Sequence, residues 1–68
     1  MYRLRVKEVA DAKGMNMSKL SRVSDVSFST IKRIFRNPQE PVGVDTLYKI
    51  AIALGVTTSE LIEDVPDD

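Results

Sequence analysis

Asn16-Met17-Ser18-Lys19-Leu20-Ser21-Arg22-Val23-Ser24-Asp25-Val26-Ser27-Phe28-Ser29-Thr30-Ile31-Lys32-Arg33-Ile34-Phe35-Arg36 reads as two short helices joined by a turn of about three residues. Asn16 and Ser27 are both N-cap residue types, whose side-chain oxygens can accept from the free amides of the following turn. The first helix is expected from about Met17 to Ser24, with Leu20 and Val23 inward. The second runs from Phe28 to about Arg36, with Ile31, Ile34 and Phe35 inward. Ser21 is small where the two helix axes would cross, and Asp25 is a residue type that tolerates a left-handed turn. Asn37-Pro38 ends the pair, because the residue before proline avoids the helical region.

Outward from this stretch, apolar spacing is helical on both sides. Before it, Val6, Val9 and Ala10 fall at i, i+3, i+4, and Gly14 stops the pattern. That helix starts somewhere in Leu4 to Val6. Tyr2-Arg3-Leu4-Arg5-Val6 alternates apolar and basic residues, and reads equally well as a short extended lead-in. Met15 and Met17 read as gap-fillers in the core. After it, Gln39 to Gly43 is a loop. Val44 to Leu54 carries the cleanest stripe in the chain, Leu47, Ile50, Ala51 and Leu54, closed by Gly55. Thr57-Thr58-Ser59-Glu60 has capping-box form and predicts a short fifth helix that buries Leu61 and Ile62. The expected fold is therefore all-α, a compact five-helix domain over residues 4–63. An acidic tail follows over 64–68, with Val65-Pro66-Asp67-Asp68 frayed.

With 68 residues there is room for one domain and one modest core; a chain this short buries only about 60% of its unfolded surface. There is no cysteine and no histidine, which removes disulfides, thiolate metal sites and the commonest general base. No apolar run approaches the ~20 residues of a membrane helix, so the expectation is an intracellular, cytoplasmic and metal-free protein without a cofactor. Net charge is zero, but it is unevenly spread. Residues 1–39 hold nine basic side chains (Arg3, Arg5, Lys7, Lys13, Lys19, Arg22, Lys32, Arg33, Arg36) against Glu8, Asp11 and Asp25, a net +6. Residues 40–68 hold Lys49 against Glu40, Asp45, Glu60, Glu63, Asp64, Asp67 and Asp68, a net −6. A binding footprint depends on the field over one face rather than on the total.

The chain resembles the lambda-repressor-like family, also called the XRE or Cro/CI type. The matching residues are Leu20-Ser21, Asp25, Val26-Ser27 and Ser29-Thr30-Ile31, then Leu47 to Val56 as family helix 4 and Ser59-Glu60-Leu61 at the opening of helix 5. Asp25 stands where the turn usually has glycine and Ser21 where alanine is usual. Met17 stands where a phosphate-binding glutamine is often found, and Asn16, Ser18 and Lys19 lie near enough to take its place. The resemblance implies that helix 3 lies in the major groove of duplex DNA and that its first turns meet base edges. With Ile31 and Ile34 inward, Phe28, Ser29, Lys32 and Arg33 become the base-contacting set. Lys32 and Arg33 suit guanine O6 and N7, Phe28 a thymine methyl, and Ser29 either base type. Asn16, Ser18, Lys19, Arg22, Thr30, Arg36 and Asn37 become the phosphate-contacting set. The competing readings make Phe28 a core residue or a staple over helix 2, and Ser29 and Thr30 ordinary first-turn residues.

The resemblance thus implies a sequence-specific transcriptional regulator, a repressor of prokaryotic or phage type whose partner is a double-stranded DNA operator. A homodimer would form through helix 5 and the tail (Leu61, Ile62, Val65) or through the N-terminal segment (Tyr2, Leu4). The alternative is an antitoxin or protein-interaction module on the same fold, which the acidic C-terminal half favours and whose partner would be another protein. An enzyme is the poorest reading, since no acid/base or nucleophile arrangement is recognisable. The acidic cluster Glu60, Glu63, Asp64, Asp67 and Asp68 lacks the glycine-centred loop of a calcium site and reads as solvated charge.

Overall fold

A computed structural model describes residues 1–66, so Asp67 and Asp68 of the expected tail lie outside the described residues. The order of elements is β1 (Tyr2–Leu4), α1 (Val6–Ala12), α2 (Met17–Ser24), α3 (Phe28–Arg36), α4 (Val44–Leu54), a 3-10 turn (Thr58–Leu61) and β2 (Ile62–Asp64). Val6, Leu20, Ile31, Ile50 and Leu61 are the largest fully buried side chains, so α1 to α4 and the 3-10 turn share one core.

The helix-turn-helix forms as its local chemistry dictates. Asn16 Oδ1 accepts from the Lys19 N–H at 2.8 Å and opens α2. Ser27 Oγ accepts from the Thr30 N–H at 3.3 Å and opens α3. Between them Asp25 adopts the left-handed region at φ 59°, and Val26 is buried beneath the turn. Ser21 Oγ donates to the Val26 carbonyl at 2.6 Å, which ties α2 to the turn that follows it. A β-branched residue tolerates the left-handed region poorly, at a cost of about 1–2 kcal/mol. Asp25→Val should therefore lower the melting temperature by roughly 4–8 °C per kcal/mol lost, read by thermal circular dichroism. An unchanged melting temperature would mean that the turn is not held in this geometry.

On α2 the buried pair is Leu20 and Ser24, whereas Val23, expected inward, is 52% exposed. A four-residue spacing places Leu20 and Ser24 on one stripe. The Ser24 hydroxyl donates to the Leu20 carbonyl, so its burial leaves no polar group unsatisfied. On α4 the boundaries and the stripe Leu47, Ile50, Ala51 and Leu54 agree with the sequence reading, and Gly55 closes the helix at φ 71°.

The two chain ends depart from the all-α, five-helix expectation. Among the described residues there are four α-helices, and in place of a fifth stands a single 3-10 turn that passes into β2. Thr57 Oγ1 lies 3.0 Å from Ser59 Oγ and caps no backbone amide, so the capping box does not form. β2 pairs antiparallel with β1, Tyr2 opposite Asp64, Arg3 opposite Glu63 and Leu4 opposite Ile62. The ladder continues on both sides: Arg5 N–H donates to the Leu61 carbonyl at 2.8 Å, and Val65 N–H to the Met1 carbonyl at 2.9 Å. Val65, expected in a frayed tail, is thereby held extended, as Pro66 after it also requires.

Of the alternating run Tyr2 to Val6, Tyr2–Leu4 is the extended segment and α1 begins at Val6. Leu61 is buried as expected, but Ile62, turned outward by the strand, is exposed. Arg3 pairs with Glu63 at 3.0 Å and Glu8 at 2.7 Å. Its hydrogen bond to Glu8, with the charges of both carboxylates, raises its pKa further above the ordinary arginine value. β1 also holds the loop after α3: Leu4 N–H donates to the Pro38 carbonyl at 2.6 Å, and the Tyr2 hydroxyl to the Gln39 and Glu40 carbonyls at 2.9 and 3.0 Å.

Candidate nucleic-acid interface

α3 is anchored by Ile31 and Ile34, both buried. At 3.6 residues per turn, Phe28, Lys32, Arg36, Ser29 and Arg33 then occupy one continuous arc of about 140° on the opposite side. All five are exposed. Phe28 at 44% exposure is not a core residue, and Phe35 is half-buried against the core in its stead. Among the described residues, the ion pairs gather on Arg3, so Lys32, Arg33 and Arg36 have no carboxylate partner. Their charge is thus directed to solvent from a helix whose rotation the core has set.

The remaining candidates divide between free and engaged side chains. Ser18, Lys19 and Arg22 on α2 are exposed, with no side-chain bond to another described residue. Asn16 has its carbonyl oxygen committed to the cap, which leaves its amide hydrogens to donate. Asn37 is similar, with Oδ1 accepting from the Gln39 N–H at 3.1 Å. Thr30 is half-buried; its Oγ1 accepts from Ser27 Oγ at 2.8 Å and keeps its own hydrogen free. Ser29 Oγ lies 3.4 Å from Ser27 Oγ. The residues expected at base edges therefore lie along a single helix face, and those expected at phosphates are spread over the cap of α2, α2 itself, α3 and the residue that follows α3.

The electrostatics follow the same division. Between Asn16 and Asn37 the one acidic side chain is Asp25, against five cations. Glu60, Glu63 and Asp64 sit on the 3-10 turn and β2, elements that pack with α4 and β1. Among the described residues no His, Cys, Asp or Glu cluster could hold a metal ion, and no helix is long and apolar enough to cross a membrane. The surface feature that the sequence reading passed over is on α4, where Val44, Tyr48 and Ile52 are exposed beside the core stripe. Their four-residue recurrence is the signal that could have found them.

A family model described as the Cro/C1-type HTH DNA-binding domain matches residues 5–67. No curated protein and no solved structure matches.

Proposed function

The chain belongs to the Cro/C1-type HTH DNA-binding domains, and on that premise we propose that it is a cytoplasmic, sequence-specific repressor of the prokaryotic or phage type that reads a duplex operator with α3 in the major groove. The observation that carries the reading is the α3 arc, where Lys32 and Arg33 are exposed, without partners among the described residues, on a helix fixed by a serine cap and two buried isoleucines. The anchored helix fixes the backbone from which these donors project, so binding has only side-chain freedom left to remove. In this reading Arg33 bonds guanine O6 and N7 bidentately, Lys32 bonds a neighbouring guanine, Phe28 packs on a thymine methyl, and Ser29 serves either base type. Asn16, Ser18, Lys19, Arg22, Thr30, Arg36 and Asn37 hold the phosphates on either side and set the register. The family is one of DNA-binding regulatory domains rather than enzymes.

A random-library selection with the purified chain at moderate salt tests this proposal. The expected result is one enriched motif of a few base pairs, with inverted copies about 10 base pairs apart if two chains bind one site. Steeply salt-dependent binding with no enriched motif would leave phosphate attraction alone and overturn sequence-specific reading. The fold would then be serving as an interaction module.

A further inference from the structure

The chain leaves α3 into a segment with neither helix nor strand, Asn37 to Gly43. Pro38 and Pro41 within it have no N–H to donate. Its bonds to itself are local: the Gln39 N–H donates to Asn37 Oδ1 at 3.1 Å and the Glu40 N–H to the Asn37 carbonyl at 3.0 Å. Its polar ties to the start of the chain run to β1. The carbonyls of Pro38, Gln39 and Glu40, three in succession, all accept from Leu4 or Tyr2. The backbone part of this clasp follows from the strand register. Direct bonds at Arg5–Leu61 and Met1–Val65 make Tyr2 and Leu4 the non-hydrogen-bonded positions of the ladder, so their backbone groups turn away from β2. The Leu4 N–H then meets Pro38, and the Tyr2 hydroxyl shares its one hydrogen between Gln39 and Glu40.

We propose that Tyr2 is a positioning residue for DNA binding that acts through Asn37, an inference that rests on the reading of Asn37 as a phosphate contact. Asn37 Oδ1 is held by the Gln39 N–H, so the direction of its amide hydrogens follows the position of Gln39. Gln39 is held in turn at its carbonyl by the Tyr2 hydroxyl. Two hydrogen bonds and one intervening residue therefore connect Tyr2 to the Asn37 amide. A donor whose direction is set before binding loses less freedom when a phosphate arrives. Phosphate contacts carry affinity and register rather than base preference, so Tyr2 contributes to the former and not to the latter.

Tyr2→Phe isolates the effect, because it keeps the ring in the apolar groove beside Pro41 and Val42 and removes the hydroxyl alone. A labelled random duplex at low salt serves as the probe, since phosphate contacts do not depend on sequence. The parent chain, Tyr2→Phe, Asn37→Ala and the double variant are titrated well below their melting temperatures, each first shown to be folded by circular dichroism. Asn37→Ala should weaken binding about tenfold or more, and Tyr2→Phe about two- to tenfold, the worth of one hydrogen bond. The double variant should match Asn37→Ala to within about twofold, because the two residues act as one unit. A purely structural role for the hydroxyl would lower the melting temperature and leave these affinities alone.

Amide hydrogen exchange followed by NMR reads the clasp without DNA. In Tyr2→Phe the Gln39 and Glu40 amides, both bonded to Asn37, should exchange several-fold faster than in the parent. A parent chain that binds no duplex, or an Asn37→Ala variant that binds like the parent, would overturn the phosphate reading of Asn37 and the proposal with it. If Asn37→Ala is weak while Tyr2→Phe binds like the parent, or if the two losses simply add, the phosphate reading stands and the role of Tyr2 is overturned. Unchanged exchange at Gln39 and Glu40 would overturn the clasp itself.

Discussion

Replacing Lys32 and Arg33 together by alanine is expected to erase the enriched motif in a DNA selection while leaving the fold intact. Both side chains project from the middle of α3 without partners among the described residues, and alanine is at least as good a helix former as either. A good bidentate base contact is worth about 1–3 kcal/mol of discrimination. Losing both should lower affinity for the selected site by roughly two to four orders of magnitude, with a smaller loss on random duplex. Lys19→Ala supplies the contrast, because Lys19 lies on α2 and is assigned to phosphate. It should weaken all sequences alike and reduce the slope of log affinity against log salt by about 0.9. Titration of both variants against selected and random duplexes at several salt concentrations separates the two effects. If the double variant kept the motif, α3 would not be the reading element.

Leu20→Ala should remove a large share of the stability of the chain. Leu20 is fully buried at the heart of the helix-turn-helix, and truncating a buried leucine costs about 2–5 kcal/mol. At roughly 0.05–0.15 kcal/mol per residue, a chain of this length has about 3–10 kcal/mol in all. The loss thus approaches the lower part of that range. Val23→Ala, three residues on along the same helix, removes a side chain that is 52% exposed and should shift stability by no more than about 0.5 kcal/mol. Urea unfolding of the two variants, followed by circular dichroism, measures the difference. Equal losses would mean that α2 is rotated from the orientation described.

That pair of variants also marks how far a sequence reading of α2 can go. The apolar pattern favours Val23 over Ser24 for the core, because hydropathy counts a hydroxyl as polar whatever its partner. A serine that donates to the carbonyl four residues back is satisfied within its own helix, and so it can face inward. Which side of α2 is covered depends on α3 and α4, and no i to i+4 pattern within α2 contains that information. The same holds for the outer stripe of α4. Val44, Tyr48 and Ile52 are as periodic as the residues beside them, and only packing shows which set is left over.

The sequence by itself determined the elements whose stabilising contacts lie within one turn of the chain. The Asn16 and Ser27 caps, the left-handed Asp25, the span of α4 and its Gly55 stop all rest on such local chemistry. From these came the helix-turn-helix and the outward set on α3, because a buried pair three residues apart dictates what faces away. Tertiary structure alone decided the ends. Thr57 to Glu60 looks like a helix start, and Ile62 to Asp64 has no strong strand pattern of its own. That segment becomes a strand because its partner is Tyr2 to Leu4, some sixty residues away, where open backbone groups are there to be paired. A hydrogen-bonded ladder between the two termini outweighs one local cap, and its register is written in neither strand alone.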